Sequence, residues 1–79
     1  MNAMTACHPT LPFGSIVRVV NTRNKHSVVV RITDRGELLE GRIIDLSYAA
    51  AEKLKMARAG LATVDLQVIS LGPGGYKNQ

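Results

Sequence analysis

The sequence predicts one small, mainly β domain, either a small β-barrel or a compact α+β fold. The chain has 79 residues, which is enough for a single domain. Four segments have the β-branched or alternating apolar pattern of strands, and one has the composition of a short helix. Aromatic residues make up only 4% of the chain, so the core must consist of Val, Ile, Leu and Ala.

The first half of the chain predicts a β-hairpin. Residues 16–20 are β-branched at all positions but one, and residues 27–33 form a second β-branched run. The polar residues 21–25 lie between them and predict the hairpin loop. Before the first strand, residues 11–14 predict a turn that carries one aromatic side chain, Phe13.

The second half predicts a short paired segment and a helix. Residues 42–45 are too short for a core strand alone but apolar enough to pair with one. Ser47 is a typical N-cap residue, and strong helix formers follow it. We therefore expect a helix at about 47–56, with Ala50, Leu54 and Ala57 on one face.

The end of the chain predicts a last strand and a tail. Residues 63–69 alternate between apolar and polar types, which predicts a strand with Val64, Leu66 and Val68 facing inward. The Gly-rich, polar residues 71–79 predict a flexible tail.

The charge of the chain favours an anionic partner. Its formal net charge is +4, yet the basic residues are dispersed and no aromatic pair is placed for stacking on bases. A small basic nucleic-acid binder is therefore an alternative that the sequence supports only weakly, and we expect no nucleic-acid partner. The chain carries no targeting signal of its own and no apolar run long enough to span a bilayer.

One pattern places a carboxylate at the end of a rigid strand. The β-branched run leads directly into Asp34-Arg35-Gly36, which does not continue a strand because Asp favours turns and Gly interrupts. Sites are usually built on such loops at the rim of a scaffold. The alternative is an ordinary turn-forming Asp.

Three stretches of the chain, taken together, resemble a known family. They are ACHPTLPFG at 6–14, VVVRITDRG at 28–36, and GRIIDLS at 41–47 followed by AAA at 49–51. In this order and at this spacing, from about residue 1 to residue 69, the chain resembles the rare lipoprotein A family of bacterial envelope proteins.

The resemblance implies a fold, an activity and a location. The implied fold is a double-psi β-barrel over residues 1–70, related to the barrel of expansins and some lytic transglycosylases. The implied activity is a lytic transglycosylase that, without a cofactor, cleaves peptidoglycan glycan strands lacking stem peptides to 1,6-anhydro ends. A non-catalytic wall-binding module on the same fold is the alternative. The implied location is the bacterial envelope, with any lipid anchor outside this chain.

The sequence departs from the family pattern in three places. Family members carry a further strand, with a Tyr-Gly motif, ahead of the segment where this chain starts. We therefore expect an open strand edge, which leaves either an opened, partly mobile barrel or a homodimer that closes the gap by edge pairing or swapping. Glu37 stands where the family usually has Pro, and Cys7 where it commonly has Ala.

The resemblance assigns chemistry to two residues first. Cleavage of a glycan needs a proton delivered to the glycosidic oxygen, and one carboxyl group can act first as acid and then as base. Asp34 is the candidate for that group. His8 matches the family's functional histidine and would orient Asp34 or contact the substrate; the alternative is a His held by loop hydrogen bonds.

Two further residues are candidates for binding the substrate. Asp45 matches a family aspartate and would line the cleft beside Asp34, or else satisfy backbone N–H groups at the helix start. Arg35 would hold a sugar or an N-acyl group, or else be a surface cation. We expect His26, Glu37 and Glu40 to be solvated. No metal site is predicted, since two histidines and one cysteine are too few and too scattered.

Overall fold

The chain folds into a mixed five-stranded sheet with one short helix packed against it, as seen in a computed structural model. The structure describes residues 4–36, 38, 43–56 and 63–73. The elements are β1 (Thr5–Cys7), β2 (Ile16–Asn21), β3 (Ser27–Asp34), β4 (Asp45–Leu46), α1 (Tyr48–Lys53) and β5 (Val64–Ser70). The prediction of a mainly β fold with a single short helix is confirmed for the described residues.

The sheet has the strand order β4-β1-β3-β2-β5. Its central strand β3 pairs antiparallel with β2, with Val17 opposite Val30 and Val19 opposite Val28. The predicted hairpin is thereby confirmed. On its other side β3 pairs parallel with β1, the one parallel pairing among the described strands.

The core lies between the inner face of the sheet and α1. Strand alternation places one face of β2 and β3 inward. Ala50 and Leu54 are fully buried beneath the sheet. The core is aliphatic throughout its described members, as predicted: Ala6, Val17, Val19, Val28, Val30, Ile32, Ile44, Ala50 and Leu54.

Helix α1 begins where the sequence predicts but ends earlier. Ser47 is the N-cap, and its Oγ accepts the N–H of Ala50 at 3.3 Å. The last helical residue is Lys53 rather than residue 56, because Lys55 adopts a left-handed φ of 55° that a helix cannot contain. Ala57, the third residue of the predicted helix face, lies outside the described residues.

The hairpin loop closes the C-terminal end of α1. The buried Asn21 donates its amide N–H to the Leu54 carbonyl at 3.2 Å, and Asn24 donates to the same carbonyl at 3.0 Å. These bonds satisfy a carbonyl that has no partner within the helix. The Asn21 amide oxygen also accepts the N–H of Arg23 at 3.0 Å, which shapes the loop. Two polar side chains therefore fix the helix relative to the sheet.

The predictions for β4 and β5 need correction. Among the described residues the short paired segment is Asp45–Leu46, which pairs with β1, whereas residues 43 and 44 of the predicted segment 42–45 are not in a strand and residue 42 lies outside the described part. In β5, Val64 and Leu66 are half-buried as predicted, but Val68 is 49% exposed. The helix packs against β3 and β4, so among the described elements none covers the far end of β5.

A turn at residues 12–15 is fastened to the chain just after β5. The Pro12 carbonyl accepts the hydroxyl of Ser15 at 2.7 Å, and the same Oγ accepts the N–H of Gly72 at 3.0 Å. The domain boundary at residue 70 and the flexible tail stay predictions, since residues 74–79 lie outside the described part. No helix in the described part is long and apolar enough to cross a membrane.

We predict that Gly72→Ala destabilises the domain. A Cβ there would lie 2.5 Å from the Ser15 nitrogen and nearer still to the Phe13 carbonyl oxygen, and neither backbone atom can move freely. Overpacking of this kind typically lowers the free energy of unfolding by roughly 1–3 kcal/mol. Urea denaturation measures it, with the exposed Ser70→Ala as the matched control. Equal stability of the two variants would contradict the prediction.

We also predict self-association through β5, which lies at an edge of the described sheet. Val68→Lys should lower the dimer fraction in sedimentation, because a lysine on an edge strand disfavours pairing with another chain. Val29→Lys is the control: Val29 is 44% exposed, but its strand β3 is paired on both sides. A wild-type chain that stays monomeric at all concentrations would refute the prediction.

Candidate functional site

The parallel pairing of β1 with β3 brings His8 and Asp34 together. Parallel strands end at the same edge of a sheet, so the residues that follow or end them become neighbours. Cys7 pairs with Asp34 after a shift in register between Ala6 and Cys7. The N–H of His8 then donates to the Asp34 carbonyl at 3.1 Å. Two residues that are far apart in the sequence are thereby joined through their backbones.

Asp45 lies at the same sheet edge, one strand further out. Strand β4 runs antiparallel to β1 and pairs Asp45 with Cys7. Cys7 therefore stands between Asp34 and Asp45, which places their backbones two strand spacings, or roughly 10 Å, apart. Ser47, and not Asp45, is the N-cap of α1. The proposed roles of Asp45 stay predictions.

The Asp34 carboxylate is exposed at the end of a buried strand. Asp34 follows Ile32, which is fully buried, by two positions and is the last residue of β3. The hydroxyl of Thr33 donates to its Oδ2 at a long 3.4 Å. The backbone of Asp34 is thus held within the sheet while its carboxylate remains accessible to a solute.

His8 is held as a neutral imidazole with a defined tautomer. Its Nδ1 accepts the backbone N–H groups of Thr10 at 3.1 Å and Leu11 at 3.2 Å. A nitrogen that accepts hydrogen bonds carries no proton, so the proton of the neutral ring lies on Nε2. Burial lowers the pKa of His8 below its ordinary value of 6.5. The alternative role predicted for His8, a histidine held by loop hydrogen bonds, is therefore present. These bonds use Nδ1 and leave Nε2–H as a donor.

Arg35 stacks on Phe13, a contact that sequence reasoning missed. The guanidinium carbon lies 4.8 Å from the centre of the Phe13 ring, which is a cation–π geometry. The ring is brought there by the turn at 12–15, since Gly14 donates its N–H to the Ile32 carbonyl at 2.8 Å. The signal in the sequence was that Phe13 is the single phenylalanine of the chain and lies in a turn.

Cys7 packs beneath the turn that follows Asp34. A Cβ added to Gly36 would lie 3.3 Å from the Cys7 sulfur, so the thiol and the turn are in close contact. A residue larger than glycine at position 36 would press on that sulfur. Glu37 and Glu40, which we expect to be solvated, lie outside the described residues.

His26 lies in a different region. It is exposed and lines a groove of about 750 Å³ between the hairpin and α1, together with residues such as Glu52 and Lys53. None of the candidate site residues lines this groove. Among the described residues, no three His, Cys, Asp or Glu side chains group together as metal ligands.

The comparisons with known proteins define the class. Residues 1–66 match the family described as lytic transglycolase, and the chain belongs to that family. The family match and the mainly β structure together identify the fold as a small double-psi β-barrel, as the resemblance predicted.

Curated relatives from several bacteria are similar to this chain. It is 55% identical over 71 residues to the endolytic peptidoglycan transglycosylase RlpA of Vibrio cholerae. The aligned residues cover 90% of this chain and 27% of that protein. It is 58% identical over 67 residues to the probable endolytic peptidoglycan transglycosylase RlpA of Nostoc sp., covering 85% of the chain and 18% of that protein. The RlpA of Campylobacter jejuni is 46% identical over 77 residues, covering 98% of the chain and 28% of the protein. The chain thus spans less than a third of the length of these relatives.

We predict that His8 makes stability depend on pH. The unfolded His8 takes up a proton near its ordinary pKa of 6.5, whereas the folded residue does so only at lower pH. Between these two values the unfolded state binds more protons, so stability falls as the pH falls through this window. Protonation would also break the bonds from Thr10 and Leu11.

Denaturation midpoints measured across this pH range test the prediction. His8→Gln should flatten the dependence, while His26→Gln serves as the matched control because His26 is exposed. Nitrogen NMR of the imidazole reports the tautomer directly. An unchanged pH dependence in His8→Gln, or a proton on Nδ1, would contradict the assignment.

Proposed function

We propose that this domain cleaves the glycan strands of peptidoglycan as a lytic transglycosylase, acting on strands that lack stem peptides. The observation that supports it most is the junction of His8 with Asp34 at one sheet edge, on stretches within the family match. The names of the curated relatives, which are peptidoglycan transglycosylases, point to the same substrate class.

The reaction needs a single carboxyl group. Asp34, protonated when the strand binds, gives its proton to the glycosidic oxygen as the bond from that oxygen to C1 breaks. The 6-hydroxyl of the same sugar then attacks C1 and returns its proton to the carboxylate, which leaves a 1,6-anhydro end. No water is consumed, and the carboxyl group ends as it began.

The neighbouring residues are proposed to bind and orient. His8 presents Nε2–H as a neutral donor, which suits a sugar hydroxyl or the carboxylate of Asp34. Arg35 binds the substrate next to the reacting bond. Asp45 lines the cleft at the outer strand β4.

This function places the protein in the bacterial cell envelope, where peptidoglycan lies. The lipid anchor expected from the resemblance stays a prediction. Binding to the wall without cleavage is the alternative on the same residues, because a binding groove would use the same donors and acceptors. The test below separates the two.

We predict that Asp34→Asn abolishes cleavage but retains binding to the wall. Asn keeps the shape of the side chain but cannot transfer a proton, so the rate should fall by roughly 10²- to 10⁴-fold. Release of anhydro-muropeptides from purified peptidoglycan measures cleavage, and co-sedimentation with the same wall measures binding.

Asp65→Asn is the matched control, since Asp65 is an exposed carboxylate on β5. It should cleave like the wild type. Retained turnover in Asp34→Asn would assign the acid to another residue. Binding by the wild type without any cleavage would favour the wall-binding alternative.

A further inference from the structure

The proposed reaction does not say which group of the substrate Arg35 binds, or why Arg35 stacks on Phe13. The ring comes from the turn before β2, and the guanidinium from the residue directly after Asp34. The turn is fixed to β3 through Gly14 and to the end of β5 through Ser15 and Gly72. The backbone of the turn that carries the ring is therefore held against β3 and the chain after β5.

A stacked guanidinium is a pre-organised receptor for a carboxylate. The planar group presents five N–H donors in a fork that matches two carboxylate oxygens, so one edge can bind a ligand while other N–H groups engage the protein. Stacking on Phe13 limits the rotamers of Arg35 before any ligand arrives. Less conformational entropy is then lost on binding.

The substrate chemistry offers one group for such a receptor. Muramic acid carries a lactyl ether at C3, on the same ring whose C1 bond is broken in a lytic reaction. While a stem peptide is attached, the lactyl carbonyl is tied in an amide and carries no charge. When the peptide has been removed, the lactyl group ends in a free carboxylate, the one anionic group that the glycan repeat itself then carries.

A carboxylate on the substrate also creates a problem at this site. It would approach the sheet edge that carries Asp45, and it would also lie near Asp34 once that residue has given up its proton. Like charges brought together weaken binding, so a cation is needed where the ligand's charge comes to rest. Arg35 follows Asp34 directly in the chain, so the proposed cation and the proposed acid branch from neighbouring Cα atoms about 3.8 Å apart.

We propose that Arg35, held by Phe13, binds the free lactyl carboxylate of muramic acid and thereby selects strands whose stem peptides have been removed. The proposal rests on the proposed function for its substrate. It makes Arg35 a specificity-determining residue and Phe13 a positioning residue.

Two preparations of one glycan test the proposal. Strands freed of stem peptides are used as they are or after their carboxylates have been coupled to methylamine, which restores a neutral amide without adding a peptide. Affinity and cleavage rate are measured on both with the full chain. The wild type should bind the free-acid strand about tenfold more tightly or better, as expected for a charge-assisted bidentate contact.

Variants at two positions distinguish the effect of Arg35 on the preference from the effect of any other positive charge on the chain. Arg35→Gln should lose the preference, because it weakens binding of the free-acid strand by about tenfold more than binding of the amidated strand. Arg35→Lys should recover it only in part, because lysine lacks the planar fork. Arg31→Gln is the matched control: Arg31 is an exposed cation on β3 that is not part of the site, and its loss should keep the preference.

Phe13 is tested by a variant and its rescue. Phe13→Leu keeps an apolar side chain but removes the ring, so the preference should fall by about two- to fivefold. Phe13→Tyr should restore it. A merely structural role for Phe13 would instead weaken both strands equally, and that result would overturn its assignment as a positioning residue.

The outcomes distinguish this proposal from the catalytic one. Equal use of both strands by the wild type, or a preference that survives in Arg35→Gln, overturns this inference and leaves cleavage standing. Preferential binding of the free-acid strand without cleavage supports this inference and overturns the catalytic proposal. Failure to bind either strand overturns both.

Discussion

The site depends on one pairing, the parallel alignment of β1 with β3. Without it, Asp34 would end a hairpin strand with no histidine beside it, because the local hairpin pairs β3 only with β2. The shift in register between Ala6 and Cys7 matters as much as the pairing itself. It moves Cys7 opposite Asp34, so that the next residue, His8, donates its N–H to the Asp34 carbonyl. A pairing without the shift would place Cys7 opposite Thr33 instead.

A small aliphatic core can hold this arrangement because polar contacts fix the elements around it. The described core residues are all aliphatic. Such side chains can pack in more than one way, so the core alone does not fix the position of the helix. Asn21 and Asn24 fix the end of the helix by donating hydrogen bonds to the Leu54 carbonyl at the end of α1. Ser47 fixes the start of the helix, since its N–H donates to the Thr5 carbonyl of β1 at 2.8 Å. The helix is therefore tied to the hairpin at one end and to β1 at the other.

The sequence predicted what local pattern controls and missed what long-range packing controls. The hairpin, the Ser47 cap and the aliphatic core follow from local pattern, residue preference and composition, and they are confirmed for the described residues. Two predictions were wrong. Helix α1 is shorter than predicted because Lys55 adopts a left-handed conformation, and Val68 is exposed rather than inward because no described element covers that end of β5. The adjacency of His8 and Asp34 came from family resemblance rather than from pattern, because no local rule predicts a parallel pairing across a hairpin. The stack of Arg35 on Phe13 was missed because it joins the turn before β2 to the residue after β3, which no local pattern places together.

The charges of the site form a consistent set. Asp34 and Asp45 bring negative charge to one sheet edge, and a protonated histidine would be the simplest way to balance it. The structure does the opposite: two backbone N–H groups occupy Nδ1, and burial lowers the pKa of His8, so the imidazole stays neutral. The positive charge comes instead from the guanidinium of Arg35, which stacks on Phe13. A neutral donor, His8, and a cation, Arg35, thus have separate tasks at this sheet edge.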